Sequence, residues 1–143
     1  MAITSAICNS FKQEILEAEH NFTASTGNTF NIALYDSDAD LSKSTTAYTT
    51  SEELATTGGY TAKGKALTSV TPVLDSDTAV CDFANISWTS ASFTARGCLI
   101  FNDDNSDTSV CAIDFGGDKT VTSGTFTVEF PAAAASTAII QIA

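Results

Sequence analysis

The feature that most constrains this chain is a change of period. Over the first twenty residues the large apolar side chains recur every four positions, at Ile3, Ile7, Phe11 and Ile15. From Thr29 onward they alternate, with Phe30, Ile32 and Leu34 set against Asn31, Ala33 and Tyr35. A spacing of four lines one face of a helix, and a spacing of two lines one face of a half-buried strand. The opening therefore predicts an amphipathic helix over residues 5–19, with Thr4 or Ser5 as its N-cap. A lone helix of that length is marginal in water, so its stripe must be buried, either on its own β-domain or on another subunit.

Beyond the first strand, Asp36-Ser37-Asp38-Ala39-Asp40 turns the chain, and a polar stretch continues to about Gly64. Within it Ser51-Glu52-Glu53-Leu54 has the composition of one helical turn. A loop this long in a compact domain usually has a task. Further strands are predicted at 66–74 (with Pro72 marking an edge), 78–83, 85–88, 93–101, 110–115, 125–131 and 139–142. Phe93, Ala95, Gly97, Leu99 and Phe101 are expected to share one face. Gly116-Gly117-Asp118 reads as a turn, and Ala132 to Ala135 as a connector. The predicted fold is mainly β: an antiparallel β-sandwich of jelly-roll or Greek-key type, with about eight strands and one N-terminal amphipathic helix. The organisation expected is a helix over residues 1–22 and a sandwich domain over 23–143.

Composition supports that class. The 22 Thr, 16 Ser and nine Phe suit pleated, half-buried surfaces better than helices. Seventeen acidic against six basic residues give a net charge of −11. Such a chain repels phosphate backbones and anionic lipid, so neither nucleic acid nor a membrane surface is an expected partner. No apolar run reaches the length of a membrane helix, and Met1-Ala2-Ile3-Thr4-Ser5 has no secretory character, so synthesis in the cytoplasm is expected. Cys8, Cys81, Cys98 and Cys111 lie too far apart for zinc-knuckle spacing. They read as buried, reduced, small apolar side chains.

Candidate chemistry is thin. Gly59-Tyr60-Thr61-Ala62-Lys63-Gly64-Lys65 fits G-x-x-x-x-G-K, but Ala66 lacks the hydroxyl that would hold magnesium, and no strand-to-helix context surrounds it. The glycines read instead as loop flexibility. Asp36, Asp38 and Asp40 begin like a calcium loop, yet Leu41 and Ala47 occupy the positions that need Gly and Glu. A looser cation site there, or at Asp103, Asp104 and Asp107, is the weaker alternative to a solvated acidic turn. His20, the only histidine, is expected at the frayed helix end and has no nucleophile motif to serve. No catalytic, cofactor-binding or metal residue is predicted, and the expectation is a non-enzymatic protein.

Two passages carry more than composition. The first runs Ala84-Asn85-Ile86-Ser87-Trp88-Thr89-Ser90-Ala91-Ser92-Phe93-Thr94-Ala95-Arg96-Gly97-Cys98-Leu99-Ile100-Phe101-Asn102. The second runs Val110-Cys111-Ala112-Ile113-Asp114-Phe115-Gly116-Gly117-Asp118-Lys119, then Gly124 to Pro131 and Ala138 to Ile142. With the opening helix and the first strand, they resemble small virion structural proteins of tailed bacteriophages, including those of cyanobacteria and marine bacteria. The resemblance implies a capsid decoration (cement) protein or a tail component, located in the virion, with no catalytic residues to carry over. Its expected partners are the major capsid protein or other virion proteins, bound as a trimer or dimer; the alternative is a tail or head-fibre module that grips host surface or glycans. The residues expected to form the interface are Ile3, Ile7, Phe11 and Ile15 of the helix stripe, and Leu41, Tyr48, Leu54 and Tyr60 of the 41–65 loop.

Overall fold

The computed structural model describes residues 2–143; Met1, the first residue of the expected helical segment, lies outside the described residues. In chain order the elements are β1 (Ala6–Ile7), α1 (Asn9–Leu16), β2 (Phe30–Tyr35), β3 (Lys65–Ala66) and β4 (Ser69–Asp75). They continue with β5 (Thr78–Phe83), β6 (Ile86–Asn102), β7 (Thr108–Val128) and β8 (Ile140–Ile142). Two antiparallel sheets result, one ordered β1-β7-β6-β2-β3 and the other β4-β5-β8. The protein is mainly β and sandwich-like, with one short helix. No helix among the described residues is long and apolar enough to cross a membrane.

The four-residue stripe is real, but its members do not share one helix. Ile3 sits in a parallel bridge with Leu41, and Ile7 lies in β1 opposite Cys111. Only Phe11 and Ile15 are helical. The helix is therefore shorter than the expected 5–19, because pairing with β7 claims Ala6 and Ile7 for the sheet. Cys8 is the N-cap, without a side-chain cap bond, in place of Thr4 or Ser5. The helix stops at Leu16, and Ala18 takes a left-handed φ of 61° two residues later.

Strand merging is the second departure. The segments at 85–88 and 93–101 form one strand, β6, and those at 110–115 and 125–131 fall on β7 and its exit. Gly116-Gly117-Asp118 does not turn the chain. Between the pairs Gly97↔Asp114 and Ala95↔Lys119, β7 advances five residues while β6 advances two, so the excess bulges out and pairing resumes. The predicted strand 66–74 splits at Leu67, whose N–H donates to the Phe30 carbonyl at 2.7 Å before the chain crosses to the other sheet as β4.

The same irregularity on β6 overturns the expected single face. Ala95 belongs to the main core with Cys98 and Ile100, whereas Leu99 and Phe101 belong to a separate cluster with Ala33, Tyr35 and Leu41. A register shift between Ala95 and Gly97 reverses the alternation, sending every later side chain to the opposite face. As a consequence β2 is not half-buried. Phe30, Ile32 and Leu34 point into the main core with Phe11, Phe22 and Phe83, and Ala33 and Tyr35 are also fully buried on the reverse side.

Candidate functional site

The reverse side of the five-stranded sheet is sealed by the 36–64 excursion, and a polar clasp holds that excursion down. Glu53 forms an isolated antiparallel bridge with Tyr35, and the Leu54 N–H donates to the Leu34 carbonyl at 3.0 Å. Its carboxylate accepts the Tyr48 hydroxyl at 2.5 Å, the Tyr60 hydroxyl at 2.7 Å and the Lys63 N–H at 2.6 Å. Tyr60 in turn accepts the Leu34 N–H at 3.0 Å. Burial first, and then the bond to Glu53, pushes the Tyr48 phenol up to about 12 and raises Tyr60 further. Both phenols thus stay protonated donors. Instead of one helical turn, Ser51-Glu52 forms a tight turn, with Glu52 at φ 59°, that leads into the bridge at Glu53.

The remaining candidates are likewise tied into the fold. Lys63 pairs with Asp103 at 2.8 Å and Asp107 at 3.0 Å, and these two bonds hold its ammonium well above the ordinary lysine range. Asp104 accepts the Thr29 N–H at 2.6 Å. The weaker cation reading of Asp103, Asp104 and Asp107 thus competes with structural roles. Asp36 and Asp38 do converge, with Glu52 in place of Asp40, their oxygens within 4.8 Å of one another. Gly64 does not provide looseness. It has φ +69°, and a Cβ there would run into the Ile32 carbonyl, so glycine is needed for close approach of the loop to β2.

His20 is not at a frayed end. It is buried among Phe11, Phe22 and Phe30, with Phe11 at a centroid distance of 4.9 Å. The Asn102 amide donates to Nδ1 at 3.0 Å, which leaves Nε2 to donate to Glu14 at 2.6 Å. Both ring nitrogens therefore lock the end of α1 to the end of β6. The four cysteines are buried and unpaired. Burial raises the Cys81 and Cys98 thiols to about 12, holds Cys111 well above the ordinary thiol value and raises Cys8 as well, so none is a ready nucleophile.

The eight residues expected to form an interface serve the interior instead. Ile3, Phe11, Leu41 and Tyr60 are between 1% and 6% exposed. Ile7, Ile15 and Leu54 pack partly buried against the main core, and Tyr48 stacks on Phe101 at 4.9 Å. The stripe, expected to need cover, is covered by its own chain, and the loop residues expected at an interface are packed against that chain as well. The available surfaces lie elsewhere. Pairing ties Leu74, Ala79 and Ile142 into one row across the three-stranded sheet, with Leu74 74% and Ile142 56% exposed. The second surface is the hairpin arm. β2 pairs only with residues 97–102 of β6 and β1 only with 111–112 of β7, so the rest of the hairpin is a two-stranded ribbon. Its outer face carries hydroxyl pairs, Ser87–Thr127 and Thr94–Thr120, each at 2.8 Å, with Thr89, Thr122 and Thr125 exposed between them.

Sequence reasoning missed Glu53 because a carboxylate in a polar loop looks solvated; its signal was the pair of tyrosines that flank it at Tyr48 and Tyr60. It also missed the apolar row, because strand alternation in β4 gives no sign of which face is left uncovered. Compared with known proteins, the chain matches no protein-family model, no curated protein and no solved structure.

Proposed function

We propose that this chain is a non-enzymatic structural protein of a tailed-phage virion, a capsid decoration protein that stabilises the head by bridging neighbouring capsid subunits. The single observation that carries a binding role is the exposed row in which Leu74 and Ile142 flank Ala79 across the three-stranded sheet. Exposed large apolar side chains brought together on one sheet face mark a surface for another protein. The virion assignment rests on the resemblance of the β6 and β7 sequences to small phage structural proteins. A ligand that binds only the assembled shell would stabilise it by mass action, and a trimer or dimer would match the shell's symmetry axes. The buried stripe is not the docking element in this reading; the row and the ribbon take that role.

The test is to add purified protein to undecorated heads and to host cells. Sedimentation with heads and a raised thermal resistance of those heads are expected, and Leu74→Lys with Ile142→Lys should abolish both while leaving the fold intact. Adsorption to cells and not to heads would overturn the decoration role in favour of a host-facing fibre module.

A further inference from the structure

A groove on the apolar side of the ribbon lies apart from the Leu74–Ile142 row. It has a volume of about 580 Å³ and is walled by Ile113, Phe115, Phe126, Phe130 and Ile139, between β7 and the chain leading into β8. That volume falls in the range of about 300–1,000 Å³ typical of small-molecule sites, and the mostly apolar wall with few polar groups is also typical.

Lys119 is the one cationic residue that lines the groove. Lys119 pairs with Ala95, which is fully buried in the main core, and the next pair, Thr94↔Thr120, turns its hydroxyls outward. Alternation therefore sets Lys119 on the apolar face of the ribbon, the same face as Phe93 and Val121, which pair with each other and pack against the main core. Lys63 and Arg96 are neutralised by Asp103, Asp107, Asp114 and Asp118, whereas Lys119 has no carboxylate partner among the described residues. Glu129, the other ionisable group at the groove, is exposed as Lys119 is, but it alternates with Val128 and Phe130, the two that turn inward. Although the chain as a whole carries a net charge of −11, the unpaired ammonium at the mouth of this aromatic cleft is a local positive site, complementary to an anion on an apolar body.

We propose that this groove binds a free fatty-acid carboxylate, its chain against Phe115, Phe126 and Phe130 and its head paired with Lys119. The proposal is independent of the decoration role, since its readout needs no capsid. Trp88, the only tryptophan, lies 6.1 Å from Phe126 and reports on the groove by fluorescence. The full chain is titrated with dodecanoate and with dodecanol, each below its aggregation threshold, and calorimetry gives the stoichiometry. One saturable site for dodecanoate is expected. Lys119→Gln should weaken dodecanoate roughly two- to fivefold, the measure of one exposed ion pair, and leave dodecanol unchanged. Phe115→Ala should weaken both, with a retained cooperative melting transition showing that the fold persists. Absence of saturable binding, or equal dodecanoate affinity in wild type and Lys119→Gln, overturns the proposal. So does sedimentation as an oligomer that Lys119→Gln or Phe115→Ala disrupts, because the groove is then an interface between copies.

Discussion

The two sheets follow the same alternating pattern and reach opposite ends. In the five-stranded sheet β2 is buried on both faces, by the main core on one side and by the 36–64 excursion on the other. In the three-stranded sheet β4 is exposed at five of its seven positions. β4 is the more polar strand, with Ser69, Thr71 and Asp75, but its apolar Val70, Val73 and Leu74 are exposed too, so composition alone does not explain the contrast. Cover does: a strand is buried only where something lies over both of its faces, and the chain invests its one long loop in the larger sheet. The inward faces are alike, since burial pushes Cys81 of the smaller sheet and Cys98 of the larger both up to about 12. The difference lies outside.

The largest expected effect tests the shared interior. Unfolded thiols release protons above 9.0, whereas Cys81 and Cys98 in the folded protein hold theirs to about 12. Between those values the folded state binds more protons, so stability is intact below about pH 9 and falls as pH rises. The buried tyrosines add the same sign from pH 10.0 upward. Circular dichroism against pH should show alkaline unfolding complete by pH 12, and thiol titration should track it; thiols that react freely at pH 9 in the folded protein would contradict the burial.

The contrast between the sheets is next. Phe30→Ala should cost about 3–5 kcal/mol in urea unfolding. Leu74→Ala should stay within about 0.5 kcal/mol of wild type. Equal costs would erase the comparison. Leu41→Ala asks whether the loop is true cover, and should cost about 2–5 kcal/mol despite its place in a polar segment.

Smaller is the clasp. Glu53→Ala leaves two phenols and the Lys63 N–H without their acceptor and should cost about 1–3 kcal/mol, with faster amide exchange at Leu34. Unchanged exchange there would mean the loop stays seated by packing alone. Smallest of all is the Arg96–Asp114 pair at 2.9 Å, whose guanidinium holds the Asp114 carboxyl below the ordinary value of 3.8. Its contribution is present above that value and is lost as pH falls below it, so Asp114→Asn should remove a shallow, salt-sensitive acid limb from the stability profile.

Element type was legible wherever a period held over several residues. Phe30, Ile32 and Leu34 announced β2 to the residue, and Thr78 to Phe83 did the same for β5. Boundaries set by pairing were not. Nothing in Ala6-Ile7 distinguishes a helical start from two residues paired to Ala112 and Cys111, since that choice depends on a strand a hundred residues away. The bulge at Ala95–Gly97 was equally hidden. The alternation Phe93, Ala95, Gly97, Leu99, Phe101 is unbroken in the sequence, and only the shift against β7 moves Leu99 and Phe101 to the other face. Among candidate sites, the stripe was expected to need burial and the loop residues to form an interface, but a list of apolar residues does not say whose surface buries them.

By itself, then, the sequence determined that this chain would be β-rich, acidic and closed around four buried thiols, because period and side-chain chemistry are local properties of the chain. The fold decided which faces remain open: the Leu74–Ile142 row, the hydroxyl side of the ribbon and the groove beneath Lys119. The reason is that exposure is a property of pairs of distant segments, and only when β7, the excursion and the chain entering β8 take their places does each side chain acquire, or lack, a neighbour.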